Sequence, residues 1–443
     1  MRVTNPGPLR GQIKVPGDKS VSHRAAILLA ISDGNALISN FADGDDCAST
    51  LKCLGNLGVQ FSKVDHEVSI KGVGIDGLKK PADALDCGNS GTTMRLLAGL
   101  LAGQPFESKL IGDKALSIRP MERIAAPLRL TGADIDLDDV HAPIGIRGRR
   151  PLNAIDYRLP VASAQVKSSV LCAGLYSRGG VRVISPGGES REPVSRDHTE
   201  RMLRYLGADI QESYVEERGK FCQALVLQPQ SKLPARDLEV PGDISTAAFL
   251  LVAAAGLRGS DVILKDVGLN PTRTGILDIM KESGIRVTVS NRTEMCNEPR
   301  GDLRLDWNGE CELVADTVRV SGSRTAAVID EIPILAVMGT LLPGGLEIRD
   351  AQELRVKESD RIRAIVSNLK LMGADVVEFG DGFRVAKSKL TPATLDSYGD
   401  HRIAMAFTVA AMFAEGESVI DGTECVSVSY PGFFDDLDSL KWK

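Results

Sequence analysis

The sequence predicts an α/β protein built from six α/β units, three in each of two related halves. Three observations predict it. The turn and helix VPGDKSVSHRAAILLA from Val15 return as VPGDISTAAFLLVAAA from Val240, 225 residues further on. A polar turn leading into an Ala/Leu-rich helix that ends near glycine occurs six times. The other four copies are SGTTMRLLAGLLAG from Ser90, SAQVKSSVLCAGLYSRGG from Ser163, DEIPILAVMGTLLPGG from Asp330 and GDHRIAMAFTVAAMFAEG from Gly399. Gly58, Gly132, Gly207, Gly284 and Gly373 recur at intervals of 74, 75, 77 and 89 residues, each closing a second helix and preceding a β-like run. Glycine just beyond a helix is a stop signal, because it takes the left-handed conformation at little cost.

The first helix of each unit is apolar nearly all round, which implies burial on every side. The second helices, LKCLGNLGVQF, PLRLTGADIDL, MLRYLGADIQ, ILDIMKESGIRVTV and LKLMGADVVEF, carry charges that fit one solvated face. The sixth unit ends differently, as FFDDLDSL. Helices are therefore expected in the core of each half, with strands outside. The second VPGD turn marks the boundary, so residues 15–239 form one domain. Residues 1–14, which include a β-like GQIKV run, are expected to pair with the C-terminal half. The other domain is then 1–14 and 240–443, and the two chain crossings form a hinge. Ligand sites commonly lie at such a domain interface.

The composition narrows the function. At 443 residues, 43% hydrophobic and 25% charged, the chain is ordinary for a soluble globular protein. Its longest apolar stretches, such as Ala247 to Leu257, fall short of the roughly 18 residues of a membrane span. The first residues carry no apolar signal segment, so no membrane association and a cytoplasmic location are expected. The eight cysteines (Cys47, Cys53, Cys87, Cys172, Cys222, Cys296, Cys311 and Cys425) form no C-x-x-C pair, which points to reduced thiols and no structural metal. A net charge of −6 disfavours nucleic-acid binding, so any anion site must be local.

Candidate chemistry gathers at predicted helix N-termini, where unpaired N–H groups and the helix dipole favour anions. Lys19 sits at the mouth of the first helix, and Ser20 and Arg24 share a face at i,i+4. They read as a phosphate or carboxylate grip, or else as an N-cap serine with two solvated bases. Arg119 and Arg123 bracket a proline expected near the first position of a helix. They await an anion, or are neutralised by Glu122 on a wet surface. GNSGTTMR, from Gly88 to Arg95, permits close backbone approach to a ligand, but lacks the Walker and G-x-G-x-x-G spacings. In RVKESDR, from Arg355, Lys357 and Arg361 fall at i,i+4 with Glu358 between them, which suits proton transfer beside anions or a solvated helix start. Asp330 and Glu331 open an apolar helix, where at least one reads as a cap or first-turn acid and the alternative role is a general base. Asp400, His401 and Arg402 open the last of the six helices, with Asp400 a candidate cap. No nucleophile motif of a covalent hydrolase is present.

In order along the chain, PGDKSVSHR, GNSGTTMR, SIRPMER, SAQVKS, SRDHTE, NPTRTG, IDEIPILA, LRVKESDR and GDHRIAM closely resemble the 5-enolpyruvylshikimate-3-phosphate (EPSP) synthase family over almost the whole chain. The resemblance implies an inside-out α/β barrel of six βαβαββ repeats in two domains, with the active site in the cleft between them. It also implies an enzyme, a 3-phosphoshikimate 1-carboxyvinyltransferase, working as a monomer without metal or cofactor. The family transfers the enolpyruvyl group of phosphoenolpyruvate to the 5-hydroxyl of shikimate 3-phosphate, through a tetrahedral intermediate, in the sixth step of the shikimate pathway. Carried over by motif, Lys19 would touch both substrates. Ser20, Arg24, Ser163, Ala164, Gln165 and Arg196 would hold shikimate 3-phosphate. Gly91, Arg119, Gln165, Arg361 and Arg402 would line the phosphoenolpyruvate site. Asp330 would accept the 5-hydroxyl proton, Lys357 would lie near that hydroxyl, and Glu358 would exchange protons with the C3 methylene.

Three positions depart from a common family pattern. Ser90 stands where many members have alanine, Ala164 replaces a serine, and Val428 lies near the place of a C-terminal lysine. They resemble the branch often associated with tolerance of glyphosate, although Gly91 is the residue of sensitive members. Two rival functions are a sister enolpyruvyl transferase acting on UDP-N-acetylglucosamine and a non-catalytic repeat scaffold. The first typically carries a reactive cysteine in the loop that here reads GDKALSIRPMER, without one. The second would be expected to lose some of Lys19, Arg119, Asp330, Glu358 and Arg402, and all are present.

Overall fold

A computed structural model describes residues 1–307 and 313–441, so Cys311 lies outside the described residues. The chain divides into two compact units. One comprises Met1–Pro16, Pro241–Glu294 and Pro299–Lys443, and the other comprises Gly17–Val240 and Met295–Glu298. The chain passes from one to the other within each VPGD turn, between Pro16 and Gly17 and between Val240 and Pro241.

In the unit holding Gly17–Val240, the six-fold pattern gives three sheets of one design. Asp33–Ser39 runs parallel to Leu238–Glu239 on one edge and antiparallel to Glu67–Val73 on the other, and Gln60–Val64 completes the sheet. Glu107–Ile111 takes the same place between Leu85–Asp86 and His141–Arg147, with Asp134–Asp138 outermost. Ser177–Ile184 does so between Leu152–Arg158 and Lys220–Leu227, with Ile210–Glu217 outermost. Each central strand follows one of the small-residue helices: Lys19–Ala30, Gly91–Ala102 and Ala164–Gly174. A Cβ on Gly99 would collide with the Ser169 carbonyl oxygen, so glycine there lets the second and third of these helices pack closely, and the apolar positions of all three form one hydrophobic cluster with the inner faces of the sheets.

The other unit repeats the design with a change at its end. Asp261–Gly268 lies between Arg10–Lys14 in parallel and Glu298–Asp306 antiparallel, and Leu346–Ile348 lies between Val318–Val320 and Gly382–Val385. The last sheet has three strands, Thr394–Asp396, Ser418–Asp421 and Arg2–Val3. The sixth repeat thus departs from the full βαβαββ pattern: it has no hairpin of its own, and the chain's first strand pairs with Ser418–Asp421 instead. The helices Ile244–Gly256, Ile332–Gly339 and His401–Met412 pack on one another. Every residue of Ile332–Gly339 and His401–Met412 is buried, as all-round apolarity requires.

The helix stops follow the glycines. Gly58, Gly132, Gly207, Gly284 and Gly373 have φ of 90°, 90°, 84°, 80° and 76°, and each lies just past a second helix. The starts follow side-chain caps at five of the six first helices. Asp18, Ser90, Ser163, Asp243 and Asp400 accept from backbone N–H groups two or three residues on, at 2.8–3.4 Å. The exception corrects the sequence reading of Asp330 and Glu331. Glu331 occupies the N-cap position of Ile332–Gly339 but makes no capping bond, because its carboxylate accepts from Ser245 Oγ instead. Two further expectations fail. Pro120 precedes the N-cap Met121 of the helix Glu122–Leu130, so Arg119 lies outside that helix and does not stack on Arg123. Glu122 pairs with Arg129 at 2.7 Å. Lys357 and Arg361 do not share a helix turn either. A 3₁₀ segment Gln352–Val356 ends at Lys357, and Arg361 begins the next helix after its cap Asp360.

Among the described residues the seven cysteines are free, no cluster of His, Cys, Asp and Glu could hold a metal ion, and no helix is long and apolar enough to cross a membrane.

Candidate active site

In the unit of Gly17–Val240, the helix starts gather bases. Lys19 opens the first helix and pairs with Asp46 at 2.9 Å, with 15% of its side chain exposed. Arg24 is buried one turn on. Its guanidinium donates from Nε to Thr199 Oγ1 at 2.7 Å, from one Nη to the Ser20 carbonyl at 2.9 Å and from the other to Ser168 Oγ at 2.9 Å. Burial pushes Arg24 down to about 10, against the pull of Glu200, so it stays charged at neutral pH. A guanidinium has five N–H donors, so Arg24 retains donors for an anion beyond these three bonds. Arg196, which the family resemblance adds to Ser20 and Arg24, reaches Ser20 Oγ at 3.5 Å.

The mouth of Gly91–Ala102 lies in the same unit. Ser90 caps the helix, and a Cβ on Gly91 would fall 2.7 Å from an Arg95 Nη and 3.3 Å from an Arg119 Nη. Glycine here lets two guanidinium groups close over the helix start. Arg119 donates to Asn89 Oδ1 at 2.7 Å, and Arg95 donates to Gln165 Oε1 at 2.7 Å. Gln165 in turn donates to Thr92 Oγ1 at 3.0 Å, so the helix beginning Ala164-Gln165 is tied to the one beginning Gly91. Ser163 caps that helix through its hydroxyl, and Ala164 is its first residue.

Sequence reasoning missed several residues here. Arg95 closes the GNSGTTMR motif, but nothing in its spacing marks it. Ser168 and Thr199, which hold Arg24 and contact each other at 2.7 Å, sit in the quoted motifs without any local spacing to mark them. Lys167 and Glu200 form a wholly buried ion pair at 2.6 Å, which only the fold reveals. Around these mouths bases outnumber acids, so the local field suits anions despite the acidic whole.

The second cluster lies in the unit of Pro299–Lys443. Arg361, 1% exposed, donates from Nε to Asp400 at 2.7 Å and from Nη2 to Glu358 at 2.6 Å, and its Nη1 lies 3.5 Å from Asp330. Burial opposes its charge, but Asp400, Glu358 and Asp330 outweigh burial and push the guanidinium above its ordinary value. Arg402 donates to the Asp330 carbonyl at 2.9 Å and faces its carboxylate at 3.7 Å. Asp400 therefore does two things: it caps the helix of Arg402 and anchors Arg361. Lys357 lies at the edge, 3.7 Å from Glu353. Glu331 is tied away from this cluster through Ser245, which also accepts from Arg273 at 2.6 Å. The structure thus separates two adjacent acids that the sequence could not: Glu331 is fully buried, whereas Asp330 keeps 15% of its side chain exposed beside two arginines.

Repeated α/β units with guanidinium-lined helix mouths in one unit and carboxylates on a buried arginine in the other define an enzyme that handles small anions. The model of the EPSP synthase (3-phosphoshikimate 1-carboxyvinyltransferase) family matches residues 3–437. The 3-phosphoshikimate 1-carboxyvinyltransferase of Pelotomaculum thermopropionicum is 47% identical, over 96% of this chain and 95% of that protein. That of Koribacter versatilis is 46% identical over 99% of both. A solved EPSP synthase structure from Acinetobacter baumannii superposes with a TM-score of 0.83 at 40% identity, covering 99% of this chain and 97% of that one. The chain belongs to the EPSP synthase family.

Proposed function

We propose that this enzyme transfers the enolpyruvyl group of phosphoenolpyruvate to the 5-hydroxyl of shikimate 3-phosphate, releasing phosphate, on the route to chorismate and the aromatic amino acids. The observation that carries the reading is that Asp330 and Glu358, each with 15% of its side chain exposed, flank one buried guanidinium, that of Arg361. Addition to the enol double bond needs two proton movements. The 5-hydroxyl oxygen bonds to C2 while its proton passes to a base, and C3 takes a proton from an acid. Elimination then returns a C3 proton to a base as the C2–O bond to phosphate breaks. We assign the hydroxyl proton to Asp330 and both C3 transfers to Glu358, since two carboxylates in different settings can divide acid and base work.

The other assignments are those that the family's motifs imply. Ser20, Arg24, Ser163, Ala164, Gln165 and Arg196 would hold shikimate 3-phosphate, with Lys357 near its 5-hydroxyl. Gly91, Arg119, Gln165, Arg361 and Arg402 would hold phosphoenolpyruvate, and Lys19 would touch both. Arginines that fix two anions together and oppose developing charge can lower the barrier by several kcal/mol. Both units supply groups to this one reaction, so residues 1–14 with 240–443 and residues 15–239 are proposed as its two working domains. Proton transfer and fixed charge account for every step, so we propose no metal or cofactor. We also propose a monomer, as the family resemblance implies, and a cytoplasmic location.

The test is phosphate release from purified protein with phosphoenolpyruvate and either shikimate 3-phosphate or UDP-N-acetylglucosamine, alongside Asp330→Ala. Release with shikimate 3-phosphate alone, lost in the variant, is expected. Release only with the nucleotide sugar would overturn the substrate, and release with neither would overturn the activity.

A further inference from the structure

Behind the two helix mouths of the Gly17–Val240 unit runs a chain of four buried polar side chains that none of the assignments above uses. His23 Nδ1 lies 2.7 Å from Thr50 Oγ1, Thr50 Oγ1 lies 2.6 Å from Thr93 Oγ1, and Thr93 Oγ1 donates to Ser90 Oγ at 2.7 Å. All four residues are 0% exposed. His23 belongs to the helix that starts at Lys19, and Ser90 caps the helix that starts at Gly91. Thr50 comes from the helix Asp45–Asn56, whose Asp46 also holds Lys19 at 2.9 Å and offers its carbonyl to Thr93 Oγ1 at 3.4 Å.

Proton counting orients the chain. Each hydroxyl has one proton, so with Thr93 donating to Ser90, Thr50 must donate to Thr93 and His23 must donate from Nδ1 to Thr50. Nδ1 then carries a proton. Burial, with Lys19 and Arg24 nearby, disfavours a second proton on the ring, and among the described residues Nε2 has no partner. Aligned hydrogen bonds in a dry interior reinforce one another and are costly to break singly.

We propose that His23, Thr50, Thr93 and Ser90 form an internal strut that sets the spacing between the Lys19 and Gly91 mouths, making them positioning residues for phosphoenolpyruvate. The inference rests on the reading above, in which phosphoenolpyruvate alone spans Lys19, Gly91 and Arg119. Shikimate 3-phosphate shares Lys19 and Gln165 with it but otherwise leans on Ser20, Arg24, Ser163, Ala164, Arg196 and Lys357, none of which belongs to the strut.

The test is steady-state kinetics of the whole enzyme. Thr50→Val has nearly the same shape and removes two of the three bonds. It is expected to raise KM for phosphoenolpyruvate about threefold to thirtyfold, the range found for residues along coupling networks, while KM for shikimate 3-phosphate and kcat stay within about threefold. Thr50→Ser should restore the wild-type value. Thr93→Val, which removes the last two links and leaves the Ser90 cap in place, serves if Thr50→Val does not fold. It should raise the same KM, and in combination with Thr50→Val give no further rise. An unchanged phosphoenolpyruvate KM, or an equal rise in both KM values, would overturn the strut. Absence of turnover in the wild-type enzyme would instead overturn the reading it rests on.

Discussion

Replacing Arg361 by methionine should damage the protein twice over, and the damage can be apportioned. The side chain is 1% exposed, and its main partner, Asp400, is 0% exposed, with contacts of 2.7 and 3.3 Å between them. Arg361→Met keeps much of the volume but strands a carboxylate where water does not reach. Breaking a buried pair from one side costs about 3–5 kcal/mol. At a urea slope of about 2 kcal/mol/M, that lowers the midpoint of the transition by roughly 2 M. Adding Asp400→Asn removes the stranded charge while keeping a side-chain oxygen able to cap the helix at Arg402, so the double variant should recover much of the loss. Turnover should not recover, because Glu358 and Asp330 remain without their shared cation. Urea titration by fluorescence and circular dichroism, run with the phosphate-release assay on both variants, separates the two effects. A midpoint for Arg361→Met within about 0.3 M of wild type, or a double variant no more stable than the single, would refute the claim that the Arg361–Asp400 pair is dry and mutually dependent.

Other expectations follow from the same geometry. Glu358→Gln should bind both substrates but turn over about 10²–10⁴-fold more slowly, as loss of a general acid demands; binding by calorimetry and phosphate release check it. Gly91→Ala places a methyl 2.7 Å from Arg95 and 3.3 Å from Arg119. Flexible guanidinium ends can retreat, so stability should hold while the phosphoenolpyruvate KM rises about tenfold, the size of one weakened charged hydrogen bond. Burial, with Lys19 and Arg24 nearby, holds His23 well below its usual range. Below about pH 6.5 the unfolded chain takes up a proton that the native imidazole refuses, so stability falls with pH by up to about 1.4 kcal/mol per unit from this group. Melting scans from pH 8 to 5 should show a shallower fall in His23→Asn than in wild type.

Local chemistry made the frame of this fold legible. Two VPGD turns and five closing glycines act within a few residues of themselves, and the structure places helix ends where they stand; of the caps only Asp400 is read from the sequence, and at the first helix Asp18 takes the cap that the sequence offered to Ser20. The failures share one physical origin. Spacing at i,i+4 implies a neighbour only inside a continuous helix, and Pro120 and the break at Lys357 interrupt the two helices on which Arg119–Arg123 and Lys357–Arg361 would have stacked. Partners far apart in sequence were equally hidden. Lys167 with Glu200, Arg24 with Thr199 and Arg361 with Asp400 join segments 33, 175 and 39 residues apart, and no periodicity couples such distances. The adjacent acids Asp330 and Glu331 show the same limit, since Ser245, 86 residues before Glu331, decides which of them is withdrawn from the site.

The pairing of Arg10–Lys14 with Asp261–Gly268 has a consequence for how the molecule is made. The ribosome delivers the first strand roughly 250 residues before its partner, a wait of about 10–50 s at ordinary elongation rates. During that time the strand has an open hydrogen-bonding edge and no sheet to join. The Gly17–Val240 segment, by contrast, brings nearly all of its own partners with it and can complete its sheets while translation continues. A gene cut cleanly at the second VPGD would therefore leave the downstream piece without Arg2–Val3 and Arg10–Lys14. The workable dissection transplants residues 1–16 onto the front of Pro241, so that the unit split by the order of synthesis becomes continuous.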